Sequence, residues 1–436
     1  MKCYKSRWII TSTGEILENF ALVVDEGKFV DIIPQSEINY APEYVKDFGN
    51  AVITPGFIDL FTQYQYTNVG KNKPKSFKYK LKKFFITFSM KFNFAGISKS
   101  NYCYKWAQIL TDYFSMTRDE KLESFADGVE ASIAAGTTCI AQVSREKKFF
   151  EVINRLPIKT YLFFEIYADS SMKSKKTFKY MRSVVEDLIY HKGPNTYIGV
   201  MLNSISGVHR KLWELFSKYC RKHSMLLMTR FIESIDEIEW LEHGFSDIDI
   251  LHKFLGFRKI SPFDKELTPV QYLEKMKVLS NKVIIANANM ATDKDLERLS
   301  EGSVKFVYQP IYNEEMSGTD IGFEKVLKYF SKNFGLSTQS FATDKDFSLL
   351  NLAIKINKDT NLDLIELLKY ITIYPAKILR LDHITGSIEK GKDADFNVFK
   401  LNDGEGYEAI INHSVPYSTY SQGHKLVKKG DKRFSL

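Results

Sequence analysis

The side chains able to hold a metal or form a nucleophile–base pair are sparse and scattered in this 436-residue chain. Of its eight histidines, His191, His209, His223, His243, His252, His383, His413 and His424, none sits at a predicted strand end in the spacing expected of metal ligands. His191, His223 and His243 fall in or near predicted helix ends, where a solvated histidine is the ordinary explanation. Cys3, Cys103, Cys139 and Cys220 form no Cys-x-x-Cys pair, which argues against a zinc ribbon or a disulfide framework and fits a reducing cytoplasm. Neither a Ser-His-Asp nor a Cys-His arrangement can be read from chain order. No Gly-rich phosphate turn follows a strand, so dinucleotide chemistry is weakly supported.

A second concentration of chemistry is electrostatic. Between Asp59 and Asp112 there is no acidic residue but there are ten lysines, more than the +8 net charge of the whole chain (61 Lys plus Arg, 53 Asp plus Glu). Within it, Leu81, Phe84, Phe85, Phe88 and Phe92 fall on one helical stripe, with Lys78, Lys82, Lys83 and Lys91 mostly off it. A basic amphipathic helix can lie on an anionic membrane or fill a partner's groove. A lid with its aromatic face inward and its lysines in water is preferred here to membrane or nucleic-acid contact through Lys71–Lys91.

The elements that must position any site follow from periodicity. Short strands are predicted at Trp8–Thr11, Ala21–Val24 and Phe29–Ile33, the last two joined by an Asp25-Glu26-Gly27 turn. From Pro55 onward buried strands alternate with amphipathic helices; Thr117-x-x-Glu120 is a capping box, and Gly136 stops the helix it opens. Eight barrel strands are predicted, at 57–60, 137–143, 161–164, 197–202, 225–229, 282–286, 304–307 and around 340–343. Eight such units imply an α/β fold with a closed (β/α)8 TIM-type barrel rather than an open sheet. The barrel, 54–384 with a basic, aromatic insertion at 71–96, lies between the halves of a small composite β-sandwich domain, 1–53 plus 385–436. The composition is that of a globular protein with a sizeable core. With no apolar run long enough for a signal peptide core or a spanning helix, a cytoplasmic protein is expected.

Two blocks then carry a resemblance. Thr54-Pro55-Gly56-Phe57-Ile58-Asp59 and Gly386-Ser387-Ile388-Glu389-Lys390-Gly391-Lys392-Asp393-Ala394-Asp395 resemble the amidohydrolase superfamily, in particular its chlorohydrolase and guanine deaminase-like branch. Intermediate stretches agree in order: Phe231 to Glu237, with Glu233 as a substrate-contacting Glu; Pro310 and Asn313 in a motif whose leading His is here Tyr308; Thr343-Asp344 ending strand 8; and Tyr374-Pro375-Ala376-Lys377. The resemblance implies hydrolysis of ring amino or chloro substituents with one divalent metal, which lowers the pKa of its bound water. It also implies the ligands: a His-x-His ending strand 1, one His each ending strands 5 and 6, and the strand 8 Asp.

At those positions this chain has Phe61-Thr62-Gln63, Arg230 and Asn287, and only Asp344 is retained. A phenyl ring has no lone pair, amides offer neutral oxygens and a guanidinium repels a divalent ion. No metal and no other cofactor is therefore expected. Arg230 is expected to sit near the vacated position and to pair with Asp344, a cation replacing a cation. A barrel mouth lined by Gln63, Gln65, Asn287, Tyr308 and Asn313 together with Arg230 would suit a small neutral heterocycle. The family's Arg-Phe pair for guanine is here Leu202-Asn203, so guanine itself is not supported.

The reading preferred from sequence is a non-catalytic or ligand-binding pseudoenzyme, with catalysis an open question. One alternative is a metal-independent hydrolase of C–N or C–Cl bonds of a small heterocycle with Asp344 as base and Arg230 as electrostatic stabiliser; the candidate catalytic residues are Asp344 and Glu233. The other is a membrane- or partner-binding surface protein using residues 77–92. A homodimer is expected from the resemblance alone.

Overall fold

The structure, a computed structural model, describes residues 1–71, 101–167, 174–340, 342, 346–360 and 362–428. The amphipathic stripe from Leu81 to Phe92 and the Thr343-Asp344 pair lie outside the described residues.

Both ends of the chain enter one sheet. Its strands are β1 (Lys2–Ile10), β2 (Ile16–Asp25), β3 (Lys28–Pro34), β4 (Val45–Asp47) and β5 (Ala51–Pro55). The barrel strands come next: β6 (Phe57–Thr62), β7 (Thr137–Ser144), β8 (Lys159–Ile166), β9 (Thr196–Leu202), β10 (Leu227–Phe231), β11 (Val283–Asn287), β12 (Lys305–Tyr308) and β13 (Phe334–Leu336). The chain returns to the first sheet with β14 (Phe396–Lys400), β15 (Ser418–Ser421) and β16 (His424–Lys428). The end sheet runs β16-β15-β14-β5-β1-β2-β3, with β4 beside β1. β14 pairs antiparallel with β5 from Phe396 opposite Pro55 to Lys400 opposite Ala51, so the segment entering the barrel is stitched to the segment leaving it. The turn between β2 and β3 puts Glu26 at φ 47° and Gly27 at φ 79°, the two positive angles that a two-residue hairpin turn of this twist requires.

The barrel strands are parallel and hydrogen-bonded in chain order from β6 to β13. Alternation divides their side chains. Ile58, Leu60, Cys139, Ala141, Phe163, Met201, Met228, Ile284 and Val307 fill the interior, while Phe57, Ile140, Leu162, Val200, Leu227, Ile285 and Phe306 pack outward under the helices. Gly56 is required by close approach, since a Cβ there would lie 2.1 Å from Thr138 Oγ1. The ring is nearly closed: Thr62 bridges Gln339, and Gln63 N–H donates to Gln339 O at 3.0 Å. Asp59 locks this seam, accepting from Ser337 Oγ at 2.5 Å and Thr338 Oγ1 at 2.6 Å. Burial pushes its carboxyl up to about 6 against those hydrogen bonds.

Two sequence expectations shift. The eighth strand is Phe334–Leu336, not the region around Ser340; a three-residue strand centred on Gly335 carries almost no period-two signal. The fifth runs to Phe231, which brings Arg230 inside the strand. The capping box is present, with Thr117 accepting from Glu120 N and Glu120 from Thr117 N. All four cysteines are free and buried. No helix among the described residues is long and apolar enough to cross a membrane.

Candidate ligand site at the barrel mouth

The carboxyl ends of the barrel strands converge on a cavity of about 720 Å³ of empty space, counted out to its open mouth. Its polar wall comes from successive strand ends: Gln63 after β6, Arg145 after β7, Glu165 in β8, Asn203 after β9 and Arg230 in β10. Such placement is where (β/α)8 proteins put their chemistry. The helix Tyr102–Ser115 closes one side with Tyr102, Trp106 and Leu110, and the helix Asp247–Phe254 contributes Ile248, Leu251 and His252.

Arg230 is the centre of this wall and is buried. Its Nη2 donates to Gln63 Oε1 at 2.6 Å, and its guanidinium carbon lies 5.0 Å from the Trp106 ring centre and 5.5 Å from that of Phe61. Two carboxylates flank it, Glu233 Oε1 at 3.7 Å from Nε and Glu165 Oε1 at 3.8 Å from Nη1. Both distances exceed hydrogen-bond length. Burial works against the charge, but Glu233 and Glu165 more than offset it and raise the Arg230 pKa, so the guanidinium stays protonated.

Glu233 is the most heavily supported carboxylate of the site. It accepts from Tyr102 Oη, Asn287 Nδ2 and Tyr312 Oη, and its backbone oxygen accepts from Ser317 Oγ at 2.6 Å and Asn289 Nδ2 at 3.2 Å. Burial nevertheless raises its pKa. Four residues on, Glu237 accepts from Ile232 N at 2.5 Å and Ser206 Oγ at 3.4 Å, and burial followed by the Glu233 charge pushes it up to about 7. The loop carrying Glu233 is strained. Ile232, a β-branched residue, sits at φ 37°, and across from it Asn287 and Ala288 sit at 78° and 55°. Hydrogen bonds from Met290 N to Ile232 O and from Ala288 N to Phe231 O hold the two turns together.

The residues singled out from sequence divide sharply. Gln63, Arg230 and Glu233 meet in the cavity wall. Asn287 supports that wall from behind by donating to Glu233. Gln65 does not line the cavity: its Oε1 accepts from Gln142 Nε2 at 2.7 Å and its Nε2 donates to Val143 O. Tyr308 and Asn313 both turn to Asp320, at 2.5 and 2.8 Å, and are likewise absent from the wall. The expected Arg230–Asp344 pair lies outside the described residues; the described carboxylates beside Arg230 are Glu165 and Glu233. Sequence reasoning missed Glu165, Glu237 and Trp106. Glu165 had a readable signal, a lone acid near the carboxyl end of the otherwise apolar run Tyr161–Ile166.

The described part of the expected donor set does not fit a divalent ion. Phe61 presents a ring, the Gln63 oxygen is committed to Arg230, and Asn287 leaves one amide oxygen without a hydrogen-bond partner among the described residues. A metal beside them would face a guanidinium. Among the described residues no three His, Cys, Asp or Glu side chains converge in a way that could hold a metal.

Comparison with known proteins agrees with this architecture. The chain is 22% identical over 400 residues to an adenosine deaminase of Helicobacter pylori, covering 89% of each chain. It is 32% identical to a 5-methylthioadenosine/S-adenosylhomocysteine deaminase of Caldanaerobacter subterraneus, over 31% of this chain and 33% of the relative. Among solved structures it superposes on Helicobacter pylori aminofutalosine deaminase in complex with methylthio-coformycin, with a TM-score of 0.78, 18% identity and coverage of 98% of this chain and 100% of that one. An atrazine chlorohydrolase from Arthrobacter aurescens complexed with zinc gives a TM-score of 0.69 at 15% identity, covering 98% and 95%. The model of the amidohydrolase family matches residues 52–426, from β5 through the whole barrel to β16, and the chain belongs to that family.

Proposed function

We propose that this amidohydrolase-family protein is a ligand-binding member that does not carry out metal-dependent hydrolysis, and that its barrel mouth takes a small, planar, neutral nitrogen heterocycle of the nucleobase or nucleoside class. The carrying observation is Arg230, whose side chain bonds Gln63 and faces Phe61 where relatives of the resembled branch place histidine ligands. Metal activation of water supplies several kcal/mol of the transition-state stabilisation in such reactions. This chain's residues put a fixed organic cation there instead. The ligand class is supported by aromatic surfaces at Tyr66, Tyr102, Trp106 and Tyr167 around a polar floor, and by the deaminases of adenine-containing compounds among its relatives.

The test is calorimetric titration with adenosine, inosine, 5-methylthioadenosine and their free bases, alongside ammonia release with added zinc and with chelator. Binding without release in either condition is expected. Chelator-sensitive release overturns the reading. One observation favours a second reading, metal-independent hydrolysis with Asp344 as base and Arg230 as stabiliser: Arg230 is a buried, permanently charged donor in the cavity wall. That reading expects chelator-resistant release abolished by Asp344→Asn.

A further inference from the structure

Charge is unevenly shared among the helices that surround the barrel. Helix Ser174–His191, which follows β8, and helix Arg210–Lys222, which follows β9, together hold nine Lys or Arg against three acids. The helices Arg118–Ala134, Ile235–His243, Asp247–Phe254, Asp293–Glu301 and Pro310–Ser317 each hold more acids than Lys or Arg. The two basic helices are neighbours. Phe178 packs edge-on against Phe216 and Tyr219, with ring centres 4.8 and 6.1 Å away, and Tyr219 Oη donates to Glu186 at 3.5 Å. One side of the barrel wall is therefore positive while much of the remainder is acidic.

Helical spacing sorts these cations into rows. Lys175, Lys179, Arg182 and Glu186 fall at i, i+4, i+7 and i+11 on one helix, and Lys211, Leu215, Lys218 and Lys222 repeat that spacing on the other. Glu186 marks the first row as bordering the seam between the helices, and the second row adjoins Tyr219. Neighbouring acids are already engaged: Glu186 with Arg182, Glu214 with Arg210 and Lys211, and Asp187 with Lys147 and His191. Lys175, Lys176, Lys179, Lys218 and Lys222 are exposed and make no ion pair among the described residues. Lysines four residues apart stand roughly 6 Å apart along a helix, and packed helix axes lie about 8–10 Å apart. The result is a narrow double track of unpaired positive charge. Tyr180, one turn beyond Lys176, and Tyr190, one turn beyond Glu186, stand beside it, 64% and 84% exposed.

We propose that the seam between helices Ser174–His191 and Arg210–Lys222 is a docking surface for a nucleic-acid strand, RNA or single-stranded DNA, whose phosphates follow the lysine rows and whose bases stack on Tyr180 and Tyr190. A polyanion that binds lysines gains by releasing its counterions, and lysines without ion pairs give that gain without breaking an existing contact. A strand fits this surface better than a membrane does. Insertion among acyl chains calls for exposed Leu, Phe or Trp, whereas the exposed large side chains on these two helices are Tyr180, Tyr190 and Ile189. Tyrosine rings beside a basic track are what single-stranded nucleic acid uses. The surface is on the outer wall of the barrel, so the inference is independent of what the mouth binds.

The experiment is fluorescence anisotropy of labelled oligo(U) and oligo(dT) with the full-length protein, from about 50 to 200 mM salt. With Lys175, Lys179, Lys218 and Lys222 each neutralising a phosphate, the slope of log K against log salt is expected to be about −3, a loss of about 50-fold over that range. The combined variant Lys179→Glu, Lys218→Glu, Lys222→Glu is expected to bind about 50-fold more weakly and with a flatter slope. Tyr180→Ala with Tyr190→Ala is expected to weaken binding about tenfold and keep the slope. Lys328→Glu, Lys355→Glu, Lys358→Glu changes the net charge equally on other helices and is expected to leave affinity within about threefold. All these positions are exposed, and thermal melts identify which variants are folded and comparable. Unchanged binding by the seam variant, or equal weakening by both charge variants, overturns the inference. So does absence of oligonucleotide binding, whether the protein then binds phosphatidylserine vesicles, which assigns the face to a membrane, or self-associates in a salt-sensitive way, which assigns it to the acidic helices of a second copy.

Discussion

Strand β8 holds a buried charge near each of its ends, and the two ends behave in opposite ways. At its start Lys159 is enclosed by Asp395 at 2.7 Å and Asp393 at 2.8 Å, from the Gly386–Asp395 block. The carboxylates are in turn held by Thr385, Ser421 and Gln422, through both backbone and side chain. Six residues on, roughly 20 Å along the strand, Glu165 flanks Arg230 at 3.8 Å with spare donors and acceptors on both sides. Each cluster sets one buried cation against two acids, the first with the exposed Lys28 added 3.6 Å from Asp393. The first is closed and ties the barrel floor to the end sheet; the second is open and lines a cavity. Burial of charge alone thus does not separate the two clusters, whereas the completeness of their hydrogen bonding does.

The largest effect that would break this contrast is on the closed cluster. Lys159→Met leaves Asp395 without its cation and Asp393 with only the exposed Lys28, and is expected to cost about 3–5 kcal/mol in urea unfolding. Arg230→Met should cost less, about 1–2 kcal/mol, because Glu233 keeps Tyr102, Asn287 and Tyr312, and Glu165 keeps Asn203. Its ligand binding should vanish, while the folded fraction of Lys159→Met retains binding. Equal stability losses in the two variants would erase the distinction between a structural and a functional charge cluster.

The ends should also respond oppositely to pH. Lys159 holds the Asp393 pKa low although burial opposes it, so the stability this carboxylate contributes is present above its ordinary value of 3.8 and is lost as pH falls through the lowered folded value. Glu237 is raised from 4.5 to about 7 by burial and by Glu233, so its folded form binds the extra proton between those values. Its burial penalty is absent below about 4.5, grows as pH rises and is complete above about 7. Glu237→Gln should therefore gain stability relative to the natural chain as pH goes from 5 to 8, by on the order of 1–3 kcal/mol. A flat difference across that range would show that the carboxyl is ionised throughout.

The two regions were also unequally legible. Of the floor, the sequence marked only the block Gly386 to Asp395 that carries Asp393 and Asp395, together with the strand alternation and the Thr117–Glu120 cap, which obey local rules; Lys159, Thr385, Ser421 and Gln422 reach it from elsewhere in the chain. The mouth is assembled from single residues on five strands, so its partners are contacts of long sequence separation that no spacing reveals. Arg230 and Gln63 were found through their place in family motifs, and Glu233 likewise. Trp106 was invisible because it enters from the helix Tyr102–Ser115, whose position over the mouth follows from tertiary packing. Gln65, Tyr308 and Asn313 were also expected at the mouth, yet their hydrogen bonds go to Gln142, Val143 and Asp320.

Those three residues give the smallest and most discriminating prediction. If family position alone marked the ligand site, removing the Tyr308 hydroxyl would weaken the ligand. In the structure that hydroxyl donates to Asp320 Oδ2, which also accepts from Gly322 N, while Asn313 holds the other oxygen. Tyr308→Phe should therefore lose one neutral-to-charged hydrogen bond, about 1–2 kcal/mol in urea unfolding, and leave heterocycle affinity within twofold. A tenfold loss of affinity with unchanged stability would place Tyr308 in the cavity after all and move the boundary between scaffold and site from β10 to β12.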